Sequence, residues 1–141
     1  MELERISHAL WLAAQAGDVL DYYWPITLGS AAVLALGVAL AVRRHRSIAF
    51  ARIWLVPLAT GPVLLVLLGT LLERSAEGTR GLHPAVLTVW AVALLNIPLV
   101  CYLAYRSRSN LMFAIGAAVS SLWLTASAWV PAVMSVTGDW L

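Results

Sequence analysis

Apolar positions in this chain fall into four long unbroken blocks, and the polar positions collect in the short segments between them. The blocks run over 24–42, 53–72, 84–105 and 111–131, and the last has an apolar tail to Val136. Each is close to the roughly 20 helical residues that cross a hydrocarbon layer about 30 Å thick. Helical cores of soluble proteins interrupt such runs with charge on one face, and these runs contain none. Alternation with a period of two is absent and Leu and Ala dominate, which argues against a transmembrane barrel. The pattern predicts an all-α integral membrane protein with four transmembrane helices.

The first 22 residues follow a different pattern. Leu3, Ile6, Leu10, Ala13, Ala14 and Gly17 recur at helical spacing, and Glu4, Arg5, His8, Gln15 and Asp18 fall mostly elsewhere. This predicts an N-terminal amphipathic helix, lying on the outer membrane surface or against the outer end of the bundle. The segment lacks the basic start and contiguous apolar centre of a cleavable signal peptide. Tyr22, Tyr23 and Trp24 follow it and suit the headgroup level, with Pro25 fitted to a helix's first turn. The expected organisation is an extracytoplasmic amphipathic segment, 1–22, and a four-helix domain, 23–141.

Composition agrees with the pattern: 62% of the 141 residues are hydrophobic and 11% are charged. Ordinary soluble domains carry about 25% charge. So short a chain has too little other mass to enclose several all-apolar helices, so lipid is the expected solvent.

The placement of charge adds an orientation. Arg43, Arg44, Arg46 and Arg52 flank or occupy the first loop between spans, and Arg106 and Arg108 occupy the third, giving +6 on one side; the other side sums to −4, which together make the net +2. Basic residues in short loops stay cytoplasmic, so both termini are expected outside. The same six arginines are candidates for contact with anionic lipid headgroups. Arginines held against a membrane offer no fold for reading bases, so no nucleic-acid partner is expected.

Chemistry inside the spans is sparse. No acidic, basic or histidine side chain lies deep in any of them, whereas ion-coupled transporters and proton relays place ionisable groups there. No axial histidine for a haem is available at that depth. Cys101 stands alone, which excludes an internal disulfide. Glu73, Glu77 and His83 in the outer loop match no metal-binding spacing. No cofactor is expected, although a bound lipid is compatible with the composition.

Three intramembrane features stand out. Asn96 lies near the centre of the third span, two residues before Pro98, which frees the carbonyl of Leu94. Such an amide serves to join helices or to contact a ligand. Pro57, Gly61 and Pro62 should bend or loosen the second span. In the fourth span, Gly116, Ser120 and Ser127 share one side, and Ser121, Thr125 and Ala128 form an adjacent stripe, so two small-residue faces can each receive a neighbour. Trp123 between them, and Trp90 in the third span, lie away from the interfacial belt and call for protein, lipid or pigment around their rings.

These features favour a noncatalytic accessory or assembly subunit of a larger complex in a bacterial inner membrane, partnered by other integral membrane subunits. A small transporter or channel working as a homo-oligomer is the main rival. It requires Asn96, Trp123, Ser121 and Thr125 to surround an uncharged passage. An enzyme acting on a lipid or quinone would need Asp21, Glu73, Glu77 and His83 to converge.

Overall fold

The computed structural model describes residues 2–43, 49–77 and 83–138. Five α-helices account for nearly all of them: α1 (Glu2–Tyr22), α2 (Trp24–Arg43), α3 (Ala49–Leu71), α4 (Pro84–Arg106) and α5 (Leu111–Thr137). There is no strand among the described residues. Helices α2, α3, α4 and α5 are long and apolar enough to cross a membrane. Arg44, Arg46, Arg80 and Asp139 lie outside the described residues, and Arg52 falls within the first turn of α3.

α5 is the hub. Half of its apolar window is buried, 50% against 11%, 28% and 22% for α2, α3 and α4, and each of the other helices packs on it. Side-chain size explains the choice. Lipid tails are as apolar as leucine, so helices in a membrane associate through close packing and hydrogen bonds, and small residues allow the closest approach. α5 has Gly116, Ala117, Ser120, Ser121, Thr125, Ser127, Ala128 and Ala132 buried along its length.

Paired residues give the register. α2 runs antiparallel to α5: Ser120 Oγ donates to the Ser30 carbonyl at 3.3 Å, Leu34 lies against Gly116, and Phe113 against Gly37. α3 runs parallel to it, with Gly61 against Thr125 and Gly69 against Ala132. α4 descends again, with Asn96 beside Ser121 and Thr125, and Trp90 beside Trp129.

Local chemistry sets the helix ends. His83 caps α4 by accepting from the Ala85 N–H at 3.3 Å, and Pro84 supplies a first position with no N–H to satisfy. α5 continues past Pro131 to Thr137 and ends at Gly138, whose φ of 74° suits the left-handed cap; its N–H reaches the Met134 carbonyl at 2.9 Å. The expected end of the fourth span at 131 is therefore six residues short. Proline removes one bond, and burial of Ala132, Ser135 and Val136 holds the final turns. The turn after α3 folds onto them: the Arg74 N–H donates to the Ser135 carbonyl (2.9 Å) and the Ala76 N–H to the Val136 carbonyl (3.1 Å). Two otherwise unpaired carbonyls of the last turn are thereby satisfied. Arg74 takes a φ of 52° to do so.

α1 forms the expected helix, but it runs along the bundle instead of across its end. His8 meets Ser135, Leu12 meets Gly69, and Leu20 shares a cleft with Pro62 and Leu124. α1 thus descends antiparallel to α5 in the groove between α3 and α5, and α2 continues in the same direction on a different side of α5. The break falls at Tyr23, followed by Pro25. Tyr22, Tyr23 and Trp24 are consequently level with the middle of α5, not with the end of the bundle.

Candidate functional site

Three polar clusters tie the helices together, two on different sides of the middle of α5 and one near its C-terminal end. Nearest the middle is Asn96, 5% exposed, whose Nδ2 donates to Thr125 Oγ1 at 2.6 Å and more weakly to Ser121 Oγ at 3.4 Å. Thr125 Oγ1 in turn donates to the Ser121 carbonyl at 2.8 Å. Gly61 closes the third side: a Cβ there would stand 2.9 Å from Thr125 Oγ1 and 3.2 Å from Asn96 Nδ2. So α3, α4 and α5 meet at one packed node. A cleft of about 170 Å³ between Thr60, Leu64, Leu95 and Leu99 reaches Asn96 and Gly61 from outside. Replacing Asn96 by Leu is expected to destabilise the bundle by about 0.6–2 kcal/mol, read as a shift in SDS-induced unfolding in mixed micelles. An unchanged midpoint would mean that the Asn96 bonds contribute nothing to the stability of the bundle.

The second cluster joins α1 to α2. Trp123 Nε1 donates to Thr27 Oγ1 at 2.9 Å, and Thr27 Oγ1 donates to the Leu20 carbonyl at 2.7 Å. The Tyr23 ring meets Trp123 edge to face, 5.9 Å between centroids. Trp123 therefore finds the protein partner that its depth called for, on the helix break itself. Trp123 and Asn96 belong to separate clusters, and Ser120 faces α2. Trp90 lies against Trp129 at 4.5 Å, and the buried Trp129 N–H has no partner among the described residues.

Sequence reading missed the third cluster. His8 Nδ1 contacts Glu73 Oε2 at 2.6 Å, His8 Nε2 contacts Ser135 Oγ at 3.3 Å, and Ser135 Oγ donates to the Gly69 carbonyl at 2.9 Å. Ser, His and Glu stand in the order of a nucleophile, its base and an orienting acid. Acyl transfer also needs an exposed nucleophile and free donors for the oxyanion. Ser135 is 1% exposed, and the nearby Arg74 and Ala76 N–H groups are committed to α5 carbonyls. An open cleft of about 760 Å³ touches Glu4, Ser7, His8, Trp11, Glu73 and Arg74 but not Ser135. The arrangement clasps α1 to α3 and α5; it does not present a reactive hydroxyl. No spacing signal could have found it, because His8 and Ser135 are 127 positions apart.

The four residues an enzyme would have needed do not converge. Glu73 is held by His8, Glu77 lies against Gly138, His83 caps α4, and Asp21 is at the far end of α1. Among the described residues, no three His, Cys, Asp or Glu side chains come together as a metal site.

At the arginine-bearing end, Trp54 is 1% exposed, donates from Nε1 to Ser107 Oγ at 3.1 Å and packs edge to face on Phe113. Arg106 reaches the Tyr102 hydroxyl at 3.4 Å, Arg108 lies 5.2 Å from the Tyr105 ring centroid, and Arg43 is exposed. Cys101 is exposed on α4.

Comparison of the chain with protein-family models, with curated proteins and with solved structures returns no match.

Proposed function

We propose that this chain is a noncatalytic accessory or assembly subunit of a larger complex in a bacterial inner membrane, with both termini outside and the arginine-rich loops in the cytoplasm. One observation carries the reading: the placement of Asp18 and Asp21. Both are exposed, and they flank Leu20 at the level of Pro62 and Leu124, near the middle of α3 and α5. At that level the other helices expose Val63, Leu64, Leu94 and Leu95, side chains suited to lipid. A carboxylate facing hydrocarbon at a helix centre costs about 2.5–3.5 kcal/mol on insertion scales. A partner surface that covers α1 and supplies basic side chains or hydrogen-bond donors to the two carboxylates removes that cost, and the clasp and the Thr27 bonds hold the helix where such a surface would meet it.

The oriented charge supports the topology, since the +6 side carries Arg43, Arg106 and Arg108 on short connections. The bacterial assignment rests on the Lys-free, Arg-rich composition. A passage through a single copy has no support at the central node, where Asn96, Ser121 and Thr125 are spent on one another and Gly61 packs against them.

The test is purification at native expression level in nanodiscs, followed by mass spectrometry of what co-migrates. Larger membrane subunits at fixed stoichiometry are expected, and the Asp18→Leu, Asp21→Leu double variant should lose them while keeping its own fold. A chain that runs alone, or only with itself, would overturn the assignment.

A further inference from the structure

The bonds that tie Asn96 to α5 use only its amide N–H groups. Thr125 Oγ1 gives its own proton to the Ser121 carbonyl at 2.8 Å, so across the 2.6 Å to Asn96 it accepts. Nδ2 therefore faces Thr125, and its second N–H is left for Ser121 Oγ at 3.4 Å. Turning the amide over would sacrifice the Thr125 bond to the Ser121 carbonyl and leave two N–H groups unmet in place of one oxygen. That oxygen, Oδ1, is reached by no hydrogen bond from the described residues, although Asn96 is 95% buried.

With Nδ2 taken up by α5, Oδ1 is the polar atom that Asn96 has left for the cleft between α3 and α4. Leu64 and Leu95 are exposed at the mouth of this cleft. Thr60 lies on its wall and donates its hydroxyl to the Val56 carbonyl, so it too offers lone pairs only. Gly61 and Asn96 stand near the midpoints of two helices long and apolar enough to cross a membrane. Water is not at hand there to satisfy a carbonyl oxygen, so the complement of Oδ1 is a membrane-soluble molecule that brings a donor. Size narrows the choice. A dry protein cavity of about 150 Å³ admits benzene, and the cleft of about 170 Å³ has room for one six-membered ring. A phenol or hydroquinone supplies such a ring with an O–H to give, whereas a quinone would set acceptor against acceptor.

We propose that the α3–α4 cleft binds the hydroxylated ring of an apolar phenol or hydroquinone, with Asn96 Oδ1 accepting from its O–H and its apolar remainder lying past Leu64 and Leu95 towards lipid. Thr60 Oγ1 offers a second acceptor on the wall. The site discriminates by hydrogen-bond direction: it holds the donor form of such a ring and not the form that has only acceptors. It rests on the placement of α3 and α4 in a membrane and is independent of the accessory role.

A para-hydroxyphenyl diazirine and its para-methoxy ether, photolysed with the full chain in nanodiscs, test the site. The phenol should label saturably, and the labelled peptides should be those holding 60–64 and 92–99. The ether has no proton to give, so it should bind about threefold to tenfold more weakly, the worth of one neutral hydrogen bond. Tetramethylhydroquinone should compete with the phenol at lower concentration than tetramethylquinone does. Leu64→Trp fills the mouth of the cleft from a lipid-facing position; it should abolish saturable labelling and leave the SDS unfolding midpoint in place. If that variant fails to fold, the comparison of phenol with ether on the native chain still decides. Equal binding of phenol and ether, stronger competition by the quinone, or saturable labelling that survives Leu64→Trp would overturn the assignment. So would labelling that never saturates and spreads over the exposed leucines of all four long apolar helices.

Discussion

Gly37→Val should detach α2 from the bundle, at a cost of about 3 kcal/mol or more, while Gly29→Val on the same helix should stay within about 0.5 kcal/mol of the native protein. The difference lies in what a Cβ would meet. At Gly37 it would stand 2.6 Å from Phe113 Cα, 2.8 Å from Phe113 N and 2.9 Å from the Met112 carbonyl oxygen. All three are backbone atoms, so no rotamer change relieves the clash. Gly116 makes the reciprocal approach, since a Cβ there would stand 2.7 Å from Leu34 Cα and N. At Gly29 nothing lies within 4 Å. A disulfide between cysteines at Ser30 and Ser120 reads the contact directly, in a Cys101→Ser background. It should form in that background and with Gly29→Val, and fail with Gly37→Val. Equal cross-linking in the two glycine variants would show that the α2–α5 contact is not built on close backbone approach.

Trp54→Ala should cost about 3–5 kcal/mol, the range for emptying a buried aromatic site. Its ring is the largest fully buried side chain among the described residues and lies 6.4 Å from Phe113, at 89°, where α3 meets the turn between α4 and α5. Trp54→Phe keeps most of the ring and removes the N–H bonded to Ser107, so it should cost only about 1 kcal/mol. Ser107→Ala should cost a similar amount, and the double variant should add little beyond either single one. SDS unfolding of the native protein, Trp54→Phe, Ser107→Ala and their double variant supplies the cycle. Additive costs would mean that the indole–hydroxyl bond contributes nothing.

What could be read from sequence was whatever depends on neighbours along the chain. Span length follows from hydropathy, so four helices and their approximate limits were legible. The two small-residue faces of α5 were legible too, since helical geometry alone puts Gly116 and Ser120 on one side and Ser121 and Thr125 on the next; they receive α2 and Asn96 respectively. Asn96, Ser121 and Thr125 each drew attention, but their union across α4 and α5 is a property of register between helices. The amphipathic pattern of α1 identified an apolar face without saying whether lipid or protein would cover it. Gly37 looked like any glycine in a span, and nothing near Trp54 in the chain indicates Phe113 or Ser107. Nothing local to His8 indicates Glu73 or Ser135.

The hub position of α5 has a consequence for biosynthesis. α5 follows its four neighbours in the chain, so each of them leaves the ribosome before the helix it packs on exists. Until then Asn96 lacks Thr125, Trp54 lacks Phe113, and His8 lacks Ser135. Meanwhile the early helices have only their contacts with one another, such as His8 with Glu73 and Trp54 with Ser107, which makes emergence of α5 the event that completes the tertiary structure. A truncation ahead of Leu111 should therefore be a substrate for quality-control proteolysis even though it keeps three helices long and apolar enough to cross a membrane.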